Sequence, residues 1–550
     1  MKLTYLLPSI ASLLILVNSY AQTEKSILKN TEELISKYNK PNSPGFAISI
    51  VKDDKIIYKN SVGIANLEYN IPITTTTPFH VGSISKQFTI FSILLLEQEG
   101  RLSIDDDIRK YLPEITDFGY KITLRNLANH TSGIRDISDL TNLTGISDND
   151  IITNDQAIKL ITNQKNINFI PGAKFEYCNS GYILLAEIVK RVSGKTFPEF
   201  TNERIFKPLK MNNSFFIQES DKIIPNLAHS YYYKNNCYYN NIFNSTIIGS
   251  TGLLTTVEDL SLWSQNFDLN IIGNETIFNK MKEKSKLING EILPYALGQE
   301  LKEYKGLKII FHGGGIASYR AYFLRIPEKK FSIIIESNDN DFNPLDIVYD
   351  LVDNYLLDKK TEESEFKNVI INKAILNTFD GDYQVFPGLI ITISHENETL
   401  YLQVKGDSEK TKLIPINNYE FIYPNNSHSK IVFNKIDTSL KWHFSDFSYK
   451  GEKLQLKNFE KSEINLNEYI GEYFNLEVNT RYNIILKDNK LVATHHKNED
   501  INLMLLQPDI LISNISFIGE IEMIRDNKNK ITGCYISGQK SKKIKFQKIK

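Results

Sequence analysis

Apolar positions along the chain follow one pattern up to about residue 360 and another beyond it. In the first part, helical spacing alternates with short apolar runs. Residues 24–39 carry Ile27, Leu28, Leu34, Ile35 and Tyr38, the spacing of an amphipathic helix. Phe46–Val51 and Ile56–Tyr58 read as the two strands of a hairpin around Asp53-Asp54. Ile84 to about Gln98 predicts a helix too apolar to lie on the surface, ending near Gly100. Leu307–Phe311, Ala321–Arg325 and Phe331–Glu336 predict three strands, followed by a helix over Leu345–Leu357. Strands at both ends with helices between them predict an α/β region whose sheet is completed by its C-terminal strands.

The charged stretch Asp358–Glu363 predicts an exposed linker. Beyond it Leu389, Ile391 and Ile393, then Leu400, Leu402 and Val404, alternate with polar neighbours, so this part is all-β. It also repeats. Leu376-x-x-Phe379-x-Gly381-x-Tyr383 returns as Leu466-x-x-Tyr469-x-Gly471-x-Tyr473, displaced by about 90 residues. Two small barrels over 365–460 and 461–550 are the favoured reading; a single barrel built from two halves is the alternative. The α/β region then occupies 22–360.

Composition narrows the classes. With 41% hydrophobic and 23% charged residues the chain is globular rather than disordered. Its net charge of -1 removes the electrostatic footprint of a nucleic-acid binder, and no nucleic-acid partner is expected. Cys178, Cys237 and Cys534 allow at most one disulfide, so the fold must rest on buried cores. At the start, Lys2, the apolar run Leu3–Val17 and Ser19-Tyr20-Ala21 read as a secretory leader over 1–21, cut after Ala21. The run is short for a ~30 Å hydrocarbon core and Pro8 interrupts it. No cysteine follows it, which argues against a lipid anchor. A periplasmic or secreted protein with no membrane span after leader removal is expected.

The chemistry starts at Gly82-Ser83-Ile84-Ser85-Lys86, where the apolar helix begins. Serine and lysine three residues apart share a helix face. A serine hydroxyl needs a base, and a desolvated lysine can be one, because burial lowers its pKa. The helix start adds backbone N–H groups, that of Ser83 among them, for an oxyanion. The bare spacing is weak. It recurs at Ser26/Lys29, Ser49/Lys52, Ser364/Lys367, Ser427/Lys430 and Ser537/Lys540, each read as a solvated serine near a solvated lysine. What distinguishes Ser83 and Lys86 is their place at the start of a helix that must be buried.

Pro78-Phe79-His80-Val81-Gly82-Ser83-Ile84-Ser85-Lys86-Gln87-Phe88-Thr89 resembles the active-site segment of the class C β-lactamase-like serine hydrolases. That family groups β-lactamases, D-alanyl-D-alanine carboxypeptidases, D-aminopeptidases and esterases. Its second motif, Tyr-x-Asn, is matched by Tyr177-Cys178-Asn179 after Pro171-Gly172, and its third by His312-Gly313-Gly314-Gly315 at the end of an Ile-rich strand. Leu124–Gly133 and Gly252–Leu260 also look familial, with His130 read as structural. His80-Val81-Gly82 fits the third motif too but precedes Ser83, and is discounted.

The resemblance implies a β-lactamase/transpeptidase-like α/β sandwich with an antiparallel sheet, followed by all-β barrel-like domains. It implies Ser83 as nucleophile, Lys86 and Tyr177 sharing the proton work, and Asn179 orienting the substrate. The N–H groups of Ser83 and Gly315 would form the oxyanion hole, and Gly314 would be a substrate contact. A phenolate on Tyr177, favoured beside Lys86, is one candidate base; which residue serves acylation stays open. His312 is expected near Tyr177 and the far end of the substrate. Because histidine is mostly neutral at pH 7, β-lactam hydrolysis is less expected than peptidase or esterase activity. No cofactor or metal is implied. The substrate would be a small peptide, ester or β-lactam, cell-wall derived or not. The competing reading is a catalytically weak penicillin-binding protein or pseudoenzyme with C-terminal binding modules. The tandem β region resembles that of D-aminopeptidases, in which a C-terminal loop reaches the active site; spacers or binding modules are the alternative. The cluster Tyr231, Tyr232, Tyr233, Tyr238 and Tyr239 reads as a surface hairpin rather than a cleft wall.

Overall fold

The computed structural model describes residues 25–147, 150–357, 369, 371–424, 426–444, 447–456, 459 and 464–550. The expected leader and the linker at Asp358–Glu363 lie outside the described residues. The hairpin forms as β1 (Phe46–Lys52) and β2 (Lys55–Val62), with Asp53 and Asp54 both at positive φ in its turn, a conformation Asp tolerates. Much later come β3 (Glu300–Tyr304), β4 (Leu307–Ile316), β5 (Tyr319–Ile326) and β6 (Phe331–Ser337). They complete an antiparallel sheet in the order β3-β4-β5-β6-β1-β2. The join is the β1–β6 ladder, where Ile48 lies opposite Ile335 and Ile50 opposite Ile333.

Both faces of the sheet are covered, which is why its strands read as continuous apolar runs. Ile48, Ile50, Ile333 and Ile335 pack with Ile35 of helix α1 (25–36) and with the C-terminal helix of this region. Ala47, Val51, Ala321 and Ile334 face a helical layer built around α2 (Ser85–Gln98). Every residue of α2 from Ser85 to Leu96 is buried, as its composition requires. Two other helices of that layer matter for the site, α3 (Ile137–Leu143) and α4 (Asn179–Ser193). The tyrosine cluster forms an outer hairpin, Tyr231–Lys234 with Cys237–Asn240, in which Tyr232 stacks on Tyr239. All three cysteines are free thiols. No helix among the described residues is long and apolar enough to cross a membrane.

The C-terminal part consists of two β units, each with its own apolar core. The second is a closed eight-stranded barrel over Gly471–Lys548. The first is a nine-stranded sheet in which the first strand, Gly381–Phe386, pairs with the last, Phe447–Lys453. Its ring is open only between Thr411–Lys412 and Ile414–Pro415, neighbours in sequence. The repeat motif does the same job in both. The Tyr383 hydroxyl donates to the Phe379 carbonyl at 2.8 Å, and that of Tyr473 to the Tyr469 carbonyl at 2.7 Å.

The second barrel is docked on the α/β region through α3. Leu140 and Leu143 sit inside the barrel's apolar cluster. The buried Arg135, just before α3, donates to the Glu477 carboxylate at 3.1 Å and to the carbonyls of Lys542 and Lys543 at 3.0 Å.

Candidate active site

Ser83 lies in a single 3-10 turn, Gly82–Ile84, that runs straight into α2. Gly82 enters it at φ 50, which glycine adopts without strain. Ser85 is the anchor of the turn: its hydroxyl donates to the Gly82 carbonyl at 2.6 Å and accepts from the Leu253 N–H at 3.2 Å. The sheet edge presses on this turn. A Cβ on Gly314 would stand 2.0 Å from the Val81 carbonyl oxygen, and one on Gly82 would stand 2.8 Å from the Gly315 nitrogen. Glycine at these positions is what lets the strand backbone reach the serine turn. Ser83 and Gly315 thereby come to line one cleft.

Lys86, the second residue of α2, has no solvent exposure. Its Nζ lies 3.0 Å from Ser83 Oγ and donates to Asn179 Oδ1 at 2.8 Å and to the Ser250 carbonyl at 2.8 Å. It also lies 4.8 Å from the centre of the Tyr177 ring. Burial pushes its pKa well below that of a free lysine; the Asp136 carboxylate opposes this and Lys540 adds to it. Tyr177 hydrogen-bonds Ser83, but burial outweighs that bond and pushes the phenol well above 10. The phenolate expected beside Lys86 is therefore disfavoured. Desolvation penalises the charged form of both groups and so favours the neutral amine and the neutral phenol.

Asn179 opens α4, and the backbone N–H of this helix start donates to the Asp136 carboxylate. The other oxygen of Asp136 caps α3 through Ser138 N at 3.0 Å. One fully buried carboxylate thus ties two helix N-termini together beneath Lys86.

The histidines are neutral and internally engaged. His312 Nδ1 lies 2.6 Å from the Gly313 carbonyl, which can only accept, so Nδ1 carries the proton and Nε2 accepts from the Tyr295 hydroxyl at 3.1 Å. Burial and the nearby Lys86 bring its pKa down to about 3. Its ring centre is 6.3 Å from that of Tyr177, and its polar atoms face the protein. His130 accepts from Cys178 N at 3.1 Å and packs on Tyr177 and Tyr295, a structural position. His80 accepts from Gly82 N at 3.2 Å and steadies the serine turn.

In front of Ser83 lies a cleft of about 140 Å³. Ile137, Ile146, Ile152, Phe243, Ile247 and Ile316 give it an apolar wall, and among the described residues no charged side chain lines it. The tyrosine hairpin is not part of that wall.

The β-lactamase family model matches residues 31–354, which span the sheet, the helical layer and all three motifs. The chain belongs to the β-lactamase family. It is 26% identical over 304 residues to a D-aminopeptidase of Brucella anthropi, covering 54% of this chain and 56% of that protein. To penicillin-binding protein 4* of Bacillus subtilis it is 27% identical over 379 residues, covering 64% of this chain and 82% of the relative. The chain thus matches little more than half the length of the D-aminopeptidase. Among solved structures, the octameric penicillin-binding protein homologue from Pyrococcus abyssi superposes with a TM-score of 0.55 at 25% identity. That likeness covers 78% of this chain and 99% of the homologue.

The three motifs of the family thus converge on one cleft. Reasoning from sequence missed four residues there. Asp136 and Ser250 hold Lys86, and Tyr295 holds His312. The fourth is Lys540, read from sequence as solvated. Its Nζ instead lies 5.5 Å from the centre of the Tyr177 ring, delivered by a loop of the second barrel. The only advance signal was for Asp136, an N-cap residue just before an apolar helix.

Proposed function

We propose that the chain is an extracytoplasmic serine hydrolase working through an acyl-enzyme on Ser83. It would cleave amide or ester bonds of D-amino-acid peptides, small esters or β-lactams. The observation that carries this reading is the buried Lys86 Nζ, 3.0 Å from the hydroxyl of a serine that lines an open cleft together with Gly315. Neutral Lys86 takes the Ser83 proton as Oγ attacks the substrate carbonyl carbon. The oxyanion is received by the N–H groups of Ser83 and Gly315; the Tyr177 hydroxyl passes its proton to the leaving nitrogen or oxygen and takes the Ser83 proton back from Lys86, which restores both groups for the next step. Water then repeats the attack on the acyl carbon. Asn179, fixed by its bond to Lys86, is placed to direct its amide at the substrate. The apolar wall of the cleft favours an apolar group next to the scissile carbonyl. The extracytoplasmic location rests on the leader pattern of residues 1–21. Substrate class draws on the names of the relatives, a D-aminopeptidase and a penicillin-binding protein.

The test is intact mass against time for the wild type and Ser83→Ala with a penicillin, together with turnover of D-amino-acid amides and a small ester. An acyl adduct or drug consumption only in the wild type is expected. Turnover should fall at least about 10³-fold in the variant. Equal turnover by Ser83→Ala would sink the reading. A long-lived penicillin adduct with no amide or ester turnover would favour the weak penicillin-binding alternative.

A further inference from the structure

The last hairpin of the second barrel, Ile531–Ser537 and Ile544–Lys548, carries a loop held inside the α/β region. Its backbone is fixed on both sides. Lys540 N donates to Asp139 Oδ2 at 2.7 Å, and Lys540 O accepts from Asp136 N at 3.2 Å and Asn168 Nδ2 at 2.8 Å. Lys542 N donates to Asn168 Oδ1 at 2.8 Å, and Lys542 Nζ pairs with Glu176. Ser541 Oγ donates to the Asp136 carbonyl at 3.3 Å. A Cβ on Gly538 would stand 2.7 Å from Asp139 Oδ2, so the loop is seated closely. With its main chain pinned, Lys540 places Nζ 5.5 Å from the Tyr177 ring centre, on the ring that Lys86 approaches to 4.8 Å.

We propose that Lys540 is a positioning residue of the hydrolase reaction: by seating its ammonium on Tyr177, next to the aspartates of α3, the docked second barrel completes the electrostatics of the Ser83–Lys86 couple. The proposal rests on the reading of Ser83 and Lys86 as nucleophile and base. It differs from a steric gate, because what matters is the charge and not the bulk of the loop.

The surroundings support it. Burial works against the Lys540 cation, and Asp136 and Asp139 more than offset it, with Tyr449 of the first β unit and Cys178 adding to them, so its pKa is raised. Lys540 stays charged across the working range. Lys86 and His130 both lie in its field and are both pushed towards their neutral forms. Asp136 stands in the field of both lysines and favours the charged form of each. A second cation close by tips the balance at Lys86 towards the free amine, the state able to accept the Ser83 proton. Removing that cation raises the pKa of Lys86, and the acid limb of the acylation profile must then move to higher pH.

The experiment measures the second-order rate of Ser83 phosphonylation by a fluorophosphonate, in which Oγ displaces fluoride from phosphorus, read by intact mass from about pH 5 to 10. It compares the full-length wild type with Lys540→Met, which keeps the bulk, Lys540→Gln, a second neutral variant, and Lys540→Arg. Thermal denaturation of each reports folding separately. The acid limb should move up by about one pH unit in both neutral variants, and the rate at neutral pH should fall about tenfold. Lys540→Arg should return the limb to its wild-type position. A limb that stays in place in the folded neutral variants, or that arginine fails to restore, overturns the proposal. A wild type that is not labelled at Ser83 would instead defeat the hydrolase reading, and this one with it.

Discussion

The two β units are built on one rule and put to different use. In each, a tyrosine hydroxyl closes on a carbonyl four residues back, and a lysine from the last strand lies over its ring, Lys453 at 5.7 Å in the first unit and Lys548 at 5.6 Å in the second. The lysines also donate to matching carbonyls, of Thr378 and Glu468. Beyond that the units part. Among the described residues the buried core of the first is made only of its own side chains, whereas Leu140 and Leu143 of α3 complete the core of the second. The second also accepts Arg135 and sends Lys540 to Tyr177. The repeat motif therefore specifies a barrel and says nothing about what the barrel touches. Position in the assembly comes from side chains outside the motif.

The sharpest way to break the comparison is to cut the connection that only the second unit has. Arg135→Met leaves the half-buried Glu477 without its cation and two loop carbonyls without donors. Loss of about 3 kcal/mol is expected. Hydrogen exchange should show it as lost protection in α3 and in residues 538–543, with the first unit unchanged. Equal deprotection of both units would mean that the first also depends on this contact.

Next in size is a pH effect at the same joint. Burial, with Asp136 adding to it, raises the carboxyl of Asp139 to about 7, although it accepts the Lys540 N–H. The folded protein then holds a proton that the unfolded chain, with its ordinary aspartate near 3.8, has released. Stability contributed here is present below the unfolded value and is lost as pH rises towards 7, at up to about 1.4 kcal/mol per pH unit. Asp139→Asn should flatten the melting temperature between about pH 5 and 7. An unchanged slope would place the titration elsewhere. Among the described residues Asp139 accepts from the second barrel, through Lys540 N, so the exchange rates of the first unit should not follow this pH change.

What could be read from sequence follows from how local each signal is. The Ser83 turn, the Tyr177–Asn179 segment and the His312–Gly315 strand end are short stretches whose flanks announce them, and the structure brings them to one cleft. The sheet and the β repeat were legible for the same reason, as periodic patterns. Lys540 was not. Gly538-Gln539-Lys540-Ser541-Lys542-Lys543 has the composition of a solvated turn, and only its seating against residues some 400 positions earlier makes it part of the site. The Tyr177 phenolate was expected from one neighbour, Lys86, but burial is a property of the whole fold and reverses the balance. His312 was placed in the right strand, yet its ring atoms are taken up by Gly313 and Tyr295, a partner outside every motif.

The smallest predicted effect tests whether the shared rule is truly shared. Tyr383→Phe and Tyr473→Phe each remove one buried hydroxyl and leave one carbonyl without that donor. Each should cost about 1 kcal/mol in chemical denaturation, with the two values alike. A loss of that size is too small to undock the second barrel, whose seat rests on Arg135 and α3, so acylation of Ser83 should be unchanged in both. Matching stability losses with a slower acylation in Tyr473→Phe alone would carry a separate meaning. The internal order of the second barrel, and not only the charge it delivers, would then reach the serine. The first unit is the control that makes this distinction possible, because it carries the same clasp but neither receives Arg135 nor delivers Lys540.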